Sequence, residues 1–212
     1  MVKIKICGIT CAQDATWAAN LGADFIGLNF FKDSPRKISP QNALEILKEI
    51  PPFVSSVGVF VNEDIKNIVK LVKKLSLSLV QLHGEETVEY CRQIKEAVPG
   101  IKIIKAFRIK DETVFDSMRP YLEIADYFLL DVYVEGIAGG TGATFNWDLA
   151  LKAKELGKPI FLAGGLTPEN VQEAVDKAKP FAADVASGIE RSPKRKDYDK
   201  MKDFINKAKS RI

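Results

Sequence analysis

Imidazoles and thiols, the ligands of most zinc sites, are scarce: one histidine and three cysteines in a chain of 212 residues. His83 stands alone, and Cys7, Cys11 and Cys91 make an odd number with no metal-binding pattern among them. Neither a zinc site nor a disulfide framework is expected, and a reduced, cytoplasmic protein is. An excess of one charge is missing too. Lys+Arg 31 against Asp+Glu 28 leaves a net charge of +3, too balanced for a nucleic-acid surface. No apolar run approaches the ~20 residues of a membrane span, and the opening MVKIKICGIT reads as a strand, not as a charged leader with an apolar core. No low-complexity or linker-like stretch interrupts the chain, so a single domain over residues 1–212 is expected. Hydrophobic residues at 46% and charged residues at 28% suit an ordinary globular chain with a sizeable core.

One alternation organises what is there. Short, β-branched runs that read as strands occur at Val2–Cys7, Phe25–Phe30, Val54–Phe60, Leu77–Leu82, Ile101–Phe107, Tyr127–Asp131, Pro159–Leu162 and Ala182–Val185. Amphipathic stretches between and after them read as helices: Ala12–Leu21, Pro40–Ile50, Glu63–Leu75, Glu86–Val98, Glu112–Leu122, Trp147–Leu156, Pro168–Lys179 and Lys196–Ser210. Ser39, Asn62 and Thr167 stand where N-caps belong, and Gly22, Gly100 and Gly157 where helices should end. Eight strand–helix units with none left over fit a closed (β/α)8 barrel. An open doubly wound sheet is the alternative, but no G-x-G-x-x-G follows the first strand.

A barrel carries its chemistry at the C-terminal ends of its strands. Eight of the fourteen glycines fall just after those ends: Gly8, Gly84, Gly139, Gly140, Gly142, Gly164, Gly165 and Gly188. Glycine lets backbone N–H groups approach an anion closely, and barrels commonly bind phosphate at loops seven and eight. Ordinary tight turns explain one such cluster better than two adjacent ones. A phosphorylated small-molecule substrate is therefore expected.

Side chains with chemistry accompany the glycines. Cys7 ends the first strand, where a thiol serves as base or nucleophile, although free cysteine is also a common core residue. Asp131 ends the sixth, after the apolar Phe128-Leu129-Leu130, a place where a carboxylate is costly without a task. Arg36, in the loop after strand two, suits a bidentate grip on a carboxylate, and many loop arginines are merely solvated. His83 ends strand four, as a base or as a residue that holds its neighbours.

Taken together these motifs resemble the phosphoribosylanthranilate isomerase family. The match runs end to end through Lys5-Ile6-Cys7-Gly8-Ile9-Thr10, Ser34-Pro35-Arg36-Lys37-Ile38-Ser39-Pro40, Val57-Gly58-Val59-Phe60 and Gln81-Leu82-His83-Gly84. It continues through Leu130-Asp131, Gly139-Gly140-Thr141-Gly142, Phe145-Asn146-Trp147, Ala163-Gly164-Gly165-Leu166 and Asp184-Val185-Ala186-Ser187-Gly188-Ile189-Glu190. The resemblance implies a barrel of the ribulose-phosphate-binding type and an aldose–ketose isomerase of tryptophan biosynthesis. It implies an Amadori rearrangement by acid–base catalysis without cofactor or metal, on a monomer or homodimer. It also implies that Cys7 is the base at C2′ and Asp131 the acid at the ring oxygen. Arg36 would hold the anthranilate carboxylate, and His83 and Asp184 would join the substrate-binding groups. Gly140, Gly142, Gly164, Gly165, Ser187 and Gly188 would enclose the phosphate. Such a base needs its pKa lowered, and period-2 alternation sets Lys5 on the face of Cys7 to help.

The chain departs from the family's pattern where a lysine is frequent at Ala143, an aspartate at Asn146, a serine at Ala186 and a glycine at Lys194. Lys194 or Lys196 is the expected substitute for the missing phosphate-loop lysine. Three other functions compete: another phosphosugar barrel enzyme such as the indole-forming synthase that acts next in the pathway, which relies on a catalytic Lys/Glu set and an N-terminal extension; a Schiff-base aldolase using Lys105 on strand five; and a phosphosugar binder without catalysis. A binder would need neither Cys7 nor Asp131.

Overall fold

The computed structural model describes residues 1–132 and 147–210. Eight parallel strands close on themselves in chain order: β1 (Lys3–Cys7), β2 (Phe25–Asn29), β3 (Ser55–Phe60), β4 (Leu79–Leu82), β5 (Lys102–Ile109), β6 (Tyr127–Val132), β7 (Ile160–Ala163) and β8 (Ala182–Val185). The ring is sealed where β1 pairs with β8, Lys5 opposite Asp184. Helices α1 (Ala12–Leu21), α2 (Pro40–Lys48), α3 (Ile65–Leu75), α4 (Val88–Ala97), α5 (Val114–Met118), α6 (Trp147–Ala153), α7 (Val171–Ala178) and α8 (Tyr198–Lys209) follow the strands. The expected (β/α)8 barrel is the observed architecture.

Alternation along the strands sorts residues into two cores. Phe25, Val57, Leu79, Ile104, Leu129 and Phe161 fill the barrel's interior. Their neighbours Ile26, Val80, Ile103, Phe128, Leu130 and Leu162 pack outward with the helices. Phe25, Tyr127, Phe161 and Phe181 meet with ring centroids 5.2 to 6.3 Å apart at the N-terminal end of the strands. That end is an apolar plug, so polar groups inside the barrel collect towards the other end.

Several boundaries differ from the sequence reading, each for a local reason. Ser39 does cap α2, accepting from Asn42 N. Helix α3 is capped by Asp64 rather than Asn62, because the Asn62 side chain accepts from Glu85 N in the loop after β4. Thr167 opens a turn, with Asn170 Oδ1 accepting from its N–H, and α7 begins only at Val171. Pro120 turns the end of α5 into a 3₁₀ turn, Arg119–Tyr121. Lys196 is not in the last helix. It belongs to a two-stranded hairpin, β9 (Glu190–Ser192) with β10 (Arg195–Lys196), that precedes α8. Lys194 turns this hairpin at φ 71°, the left-handed region in which the family's frequent glycine is at ease.

Candidate active site

Cys7 ends β1 with its side chain half-buried, and the neighbouring strand makes room for it. Gly27 is its partner on β2, and a Cβ there would lie 2.8 Å from Cys7 Sγ. Two residues earlier, on the same face, Lys5 is wholly buried and donates to Asp184 Oδ2 at 2.6 Å. Burial works against the Lys5 ammonium, yet Asp184 and then Cys7 hold its pKa above the ordinary value. Cys7 has the opposite fate. Burial pushes its thiol up, Asp184 adds to that, and Lys5 and Lys196 pull down without winning. The expected lowering of the Cys7 pKa is thus not found in the unliganded site, because desolvation outweighs the two cations. Asp184 Oδ1 is buried and lacks a hydrogen-bond partner among the described residues.

Asp131 lies towards the end of β6, beside Ala163 of β7 and Arg108 of β5 in register, and is 33% exposed. His83 Nε2 stands 3.2 Å from Asp131 Oδ2. Gln81 Nε2 lies 2.8 Å from His83 Nδ1, and with that amide donating, the ring proton sits on Nε2, facing Asp131. His83 therefore belongs to the surroundings of Asp131 and not to those of Cys7.

Arg36 reaches the same mouth from the loop after β2. Gly8, which follows Cys7 directly, has φ 71°, and a Cβ on it would meet Arg36 Cδ at 2.3 Å. The absence of that carbon lets the aliphatic stem of Arg36 lie across the end of β1. The guanidinium donates from Nε and Nη2 to the two oxygens of Glu190, both at 2.7 Å. This hydrogen bonding raises the Arg36 pKa, and it holds the Glu190 carboxyl below its usual range against the effect of burial.

Gly164 and Gly165, at φ 88° and 64°, follow β7, and the 3₁₀ turn Ser187–Ile189 follows β8. The two loops touch: a Cβ on Gly188 would fall 1.9 Å from Leu166 O. Gly140 and Gly142 lie outside the described residues. Lys196 is no phosphate ligand, since its ammonium is fully buried and donates to Ala186 O at 2.8 Å and Glu190 Oε1 at 3.2 Å. Lys105 is equally occupied. Its ammonium donates to Glu86 Oε2 at 3.0 Å and Gly84 O at 2.7 Å, an ion-paired cation and not a free amine for a Schiff base. Among the described residues no group of His, Cys, Asp and Glu is arranged to hold a metal ion, and no helix is long and apolar enough to cross a membrane.

Sequence reasoning missed Glu190 as a member of the site and gave Lys196 the wrong task. Glu190 closes the motif that begins at Asp184, so the motif signalled it, but its pairing with Arg36 joins segments 154 residues apart and leaves no local mark in the sequence. The place of Lys196 was hidden because nothing in the apolar pattern marks a hairpin there.

A sequence model of the N-(5′-phosphoribosyl)anthranilate (PRA) isomerase family matches residues 4–207. The N-(5′-phosphoribosyl)anthranilate isomerase of Trichlorobacter lovleyi is 46% identical over 216 residues, covering all of both chains. That of Geobacter metallireducens is 46% identical over 210 residues, 99% of this chain and 100% of the other. The crystal structure of phosphoribosyl anthranilate isomerase from Thermotoga maritima superposes with a TM-score of 0.90 at 44% identity, covering 99% of each chain. A phosphoribosyl anthranilate isomerase in complex with reduced 1-(o-carboxyphenylamino)-1-deoxyribulose 5-phosphate superposes with a TM-score of 0.88 at 42% identity, again over 99% of each. With barrel, strand-tip residues and relatives in agreement from end to end, the chain belongs to the N-(5′-phosphoribosyl)anthranilate isomerase family, isomerases of tryptophan biosynthesis.

Proposed function

We propose that the chain converts N-(5′-phosphoribosyl)anthranilate into 1-(2-carboxyphenylamino)-1-deoxyribulose 5-phosphate with Cys7 as general base and Asp131 as general acid. The observation that carries this reading is the meeting, at one barrel mouth, of a cysteine with a buried ammonium beside it and a part-exposed carboxylate on β6. Asp131 gives its proton to the ring oxygen as the C1′–O bond breaks, and the nitrogen lone pair closes a C1′=N⁺ iminium. The Cys7 thiolate then takes the proton from C2′. The C–H electrons form C1′=C2′ and neutralise the nitrogen, leaving an enolamine. Protonation at C1′ and loss of the C2′ hydroxyl proton give the ketone, so the rearrangement is redox-neutral overall.

Arg36 holds the anthranilate carboxylate by a charge-assisted contact. Gly164, Gly165, Ser187 and Gly188, with Gly140 and Gly142 of the sixth loop, receive the phosphate on backbone donors. Asp184 Oδ1, buried and without a partner among the described residues, is an acceptor for a sugar hydroxyl. His83 orients Asp131. The reaction takes place in the cytoplasm, on one domain, as a monomer or homodimer; the Thermotoga maritima enzyme is described as dimeric.

The test is turnover of freshly generated phosphoribosylanthranilate, followed by loss of its fluorescence. Cys7→Ala and Asp131→Asn should each lose roughly 100- to 10,000-fold in kcat with thermal unfolding unchanged. Near-normal turnover by either variant would reject its assigned role.

A further inference from the structure

Three charged side chains form a strip beside Cys7, and one of them alone reaches solvent appreciably. Arg36 is 23% exposed, Glu190 8% and Lys196 not at all. Glu190, the first residue of β9, takes both Nε and Nη2 of Arg36, while its Oε1 also accepts from Lys196. Lys196 is fixed from two further directions. Its ammonium donates to Ala186 O, and its backbone N–H donates to the buried Asp14 Oδ2 at 2.9 Å. Burial lowers the Lys196 pKa and Glu190 opposes that; with the Lys196 ammonium held by Glu190 and Ala186 O, two cations against one carboxylate leave one positive charge. That charge lies nearest solvent at Arg36, whose Nη1 has no hydrogen-bond partner among the described residues.

We propose that Glu190 is a positioning residue for substrate recognition, fixing one edge of the Arg36 guanidinium so that the other edge meets the substrate carboxylate, and that Lys196 offsets the Glu190 carboxylate so that the Arg36–Glu190 pair keeps its net attraction for that ligand. The inference rests on the reading that Arg36 binds an aromatic carboxylate. A carboxylate alone beside Arg36 would neutralise it and repel a second one. Lys196 removes that conflict by offsetting Glu190 from its buried side. The rigid grip also spares the long arginine side chain the loss of rotamer freedom on binding. The clamp is thus assembled by the β9–β10 hairpin, at the far end of the chain from the loop that carries Arg36.

The test combines Glu190→Gln and Lys196→Met, singly and each together with Arg36→Met. Glu190→Gln keeps the shape of the side chain but replaces one oxygen by an amide NH₂, setting donor against donor at Arg36 or at Lys196. Each single variant should raise KM, and the inhibition constant of anthranilate itself, by about three- to tenfold. The turnover number of Glu190→Gln should change by less than about twofold, and inhibition by inorganic phosphate should be unaffected in both; Lys196→Met also removes a cation that acts on Cys7, so it is read by KM and anthranilate inhibition alone. In the Arg36→Met background neither change should have a further effect on KM or anthranilate inhibition, which a merely structural role would not produce. An equal loss in both backgrounds, an unchanged KM, or a lowered KM showing that Glu190 competes with substrate would each overturn the proposal. Lys196→Met reads the same clamp from its other side should Glu190→Gln fail to fold. Anthranilate binding needs no turnover. A protein that binds anthranilate through this strip but isomerises nothing would sink the activity and leave the clamp, and turnover without these effects would do the reverse.

Discussion

Cys7, the proposed base, is held where burial favours keeping its proton. The state the rearrangement needs, a Cys7 thiolate with a protonated Asp131, differs from thiol plus carboxylate only by the position of one proton. The net charge of the site is therefore no obstacle to reaching it. In the proposed mechanism the iminium formed on ring opening carries its positive charge on the nitrogen two bonds from C2′, the carbon that Cys7 would deprotonate, favouring the thiolate at the step that uses it. Without substrate that help is absent, and the upward shift leaves less thiolate at neutral pH than a free cysteine would have. Alkylation of Cys7 in the unliganded protein should accordingly accelerate with pH through a midpoint above the ordinary value of about 8.5. Peptide mass mapping separates Cys7 from Cys91, which is fully buried and pushed up to about 11. A Cys7 midpoint below the free-thiol value would mean that Lys5 and Lys196 outweigh burial after all.

Among the elements, two loops at the plugged end of the barrel use the same device to fix their strands. Asp24, before β2, donates its N–H to Ile4 O and accepts from Ile4 N at 2.8 Å; Asp126, before β6, does the same with Ile103, also at 2.8 Å. Asp126 also pairs with Lys95 of α4 and Lys102 of β5, at 2.9 and 3.0 Å. Burial works against its charge, but the Ile103 N–H and the two lysines hold its pKa below the usual range. A lowered native pKa means stability present above the unfolded value of about 3.9 and lost as pH falls through the native one. Asp126→Ala should therefore destabilise by about 1.5–3 kcal/mol at neutral pH, and the gap to the parent should narrow as pH drops below 4 in urea titrations. A gap independent of pH would show that the side chain acts by packing alone.

The strand and helix alternation was legible in the sequence because inner and outer core residues differ in spacing, two in β1–β8 and near 3.6 in the helices. The placement of Cys7, Arg36 and Asp131 at the barrel mouth was legible because strand ends follow from the strand pattern. What the sequence hid were contacts between distant segments. Asn62 and Asp64 are both good caps by composition, and only the Glu85 N–H, from a different loop, decides between them. In the same way Lys196 looks like the first turn of a surface helix until its pairing with Glu190 and Asp14 buries it.

For the molecule as a whole, the loops proposed to hold phosphate follow β7 and β8, and β8 closes the ring on β1, so an anion held there would be linked to closure of the entire barrel. A ligand that binds only the folded state stabilises it by mass action. At a phosphate concentration a hundredfold above Kd this amounts to about 2.7 kcal/mol, or roughly 5–10 °C in Tm for a chain of this size. Inorganic phosphate or sulfate should therefore inhibit competitively and raise Tm in one concerted transition. Gly188 is unsuitable as the control, because any side chain there strikes the Leu166 carbonyl. Gly165 is better: nothing stands within 4 Å of a Cβ at that position, and aspartate tolerates its left-handed backbone more readily than most residues. Gly165→Asp should fold, retain its inhibition by anthranilate, and lose both the inhibition and the thermal protection given by phosphate. Phosphate protection undiminished in that variant, or a transition in which only part of the molecule responds, would remove the anion from loops seven and eight.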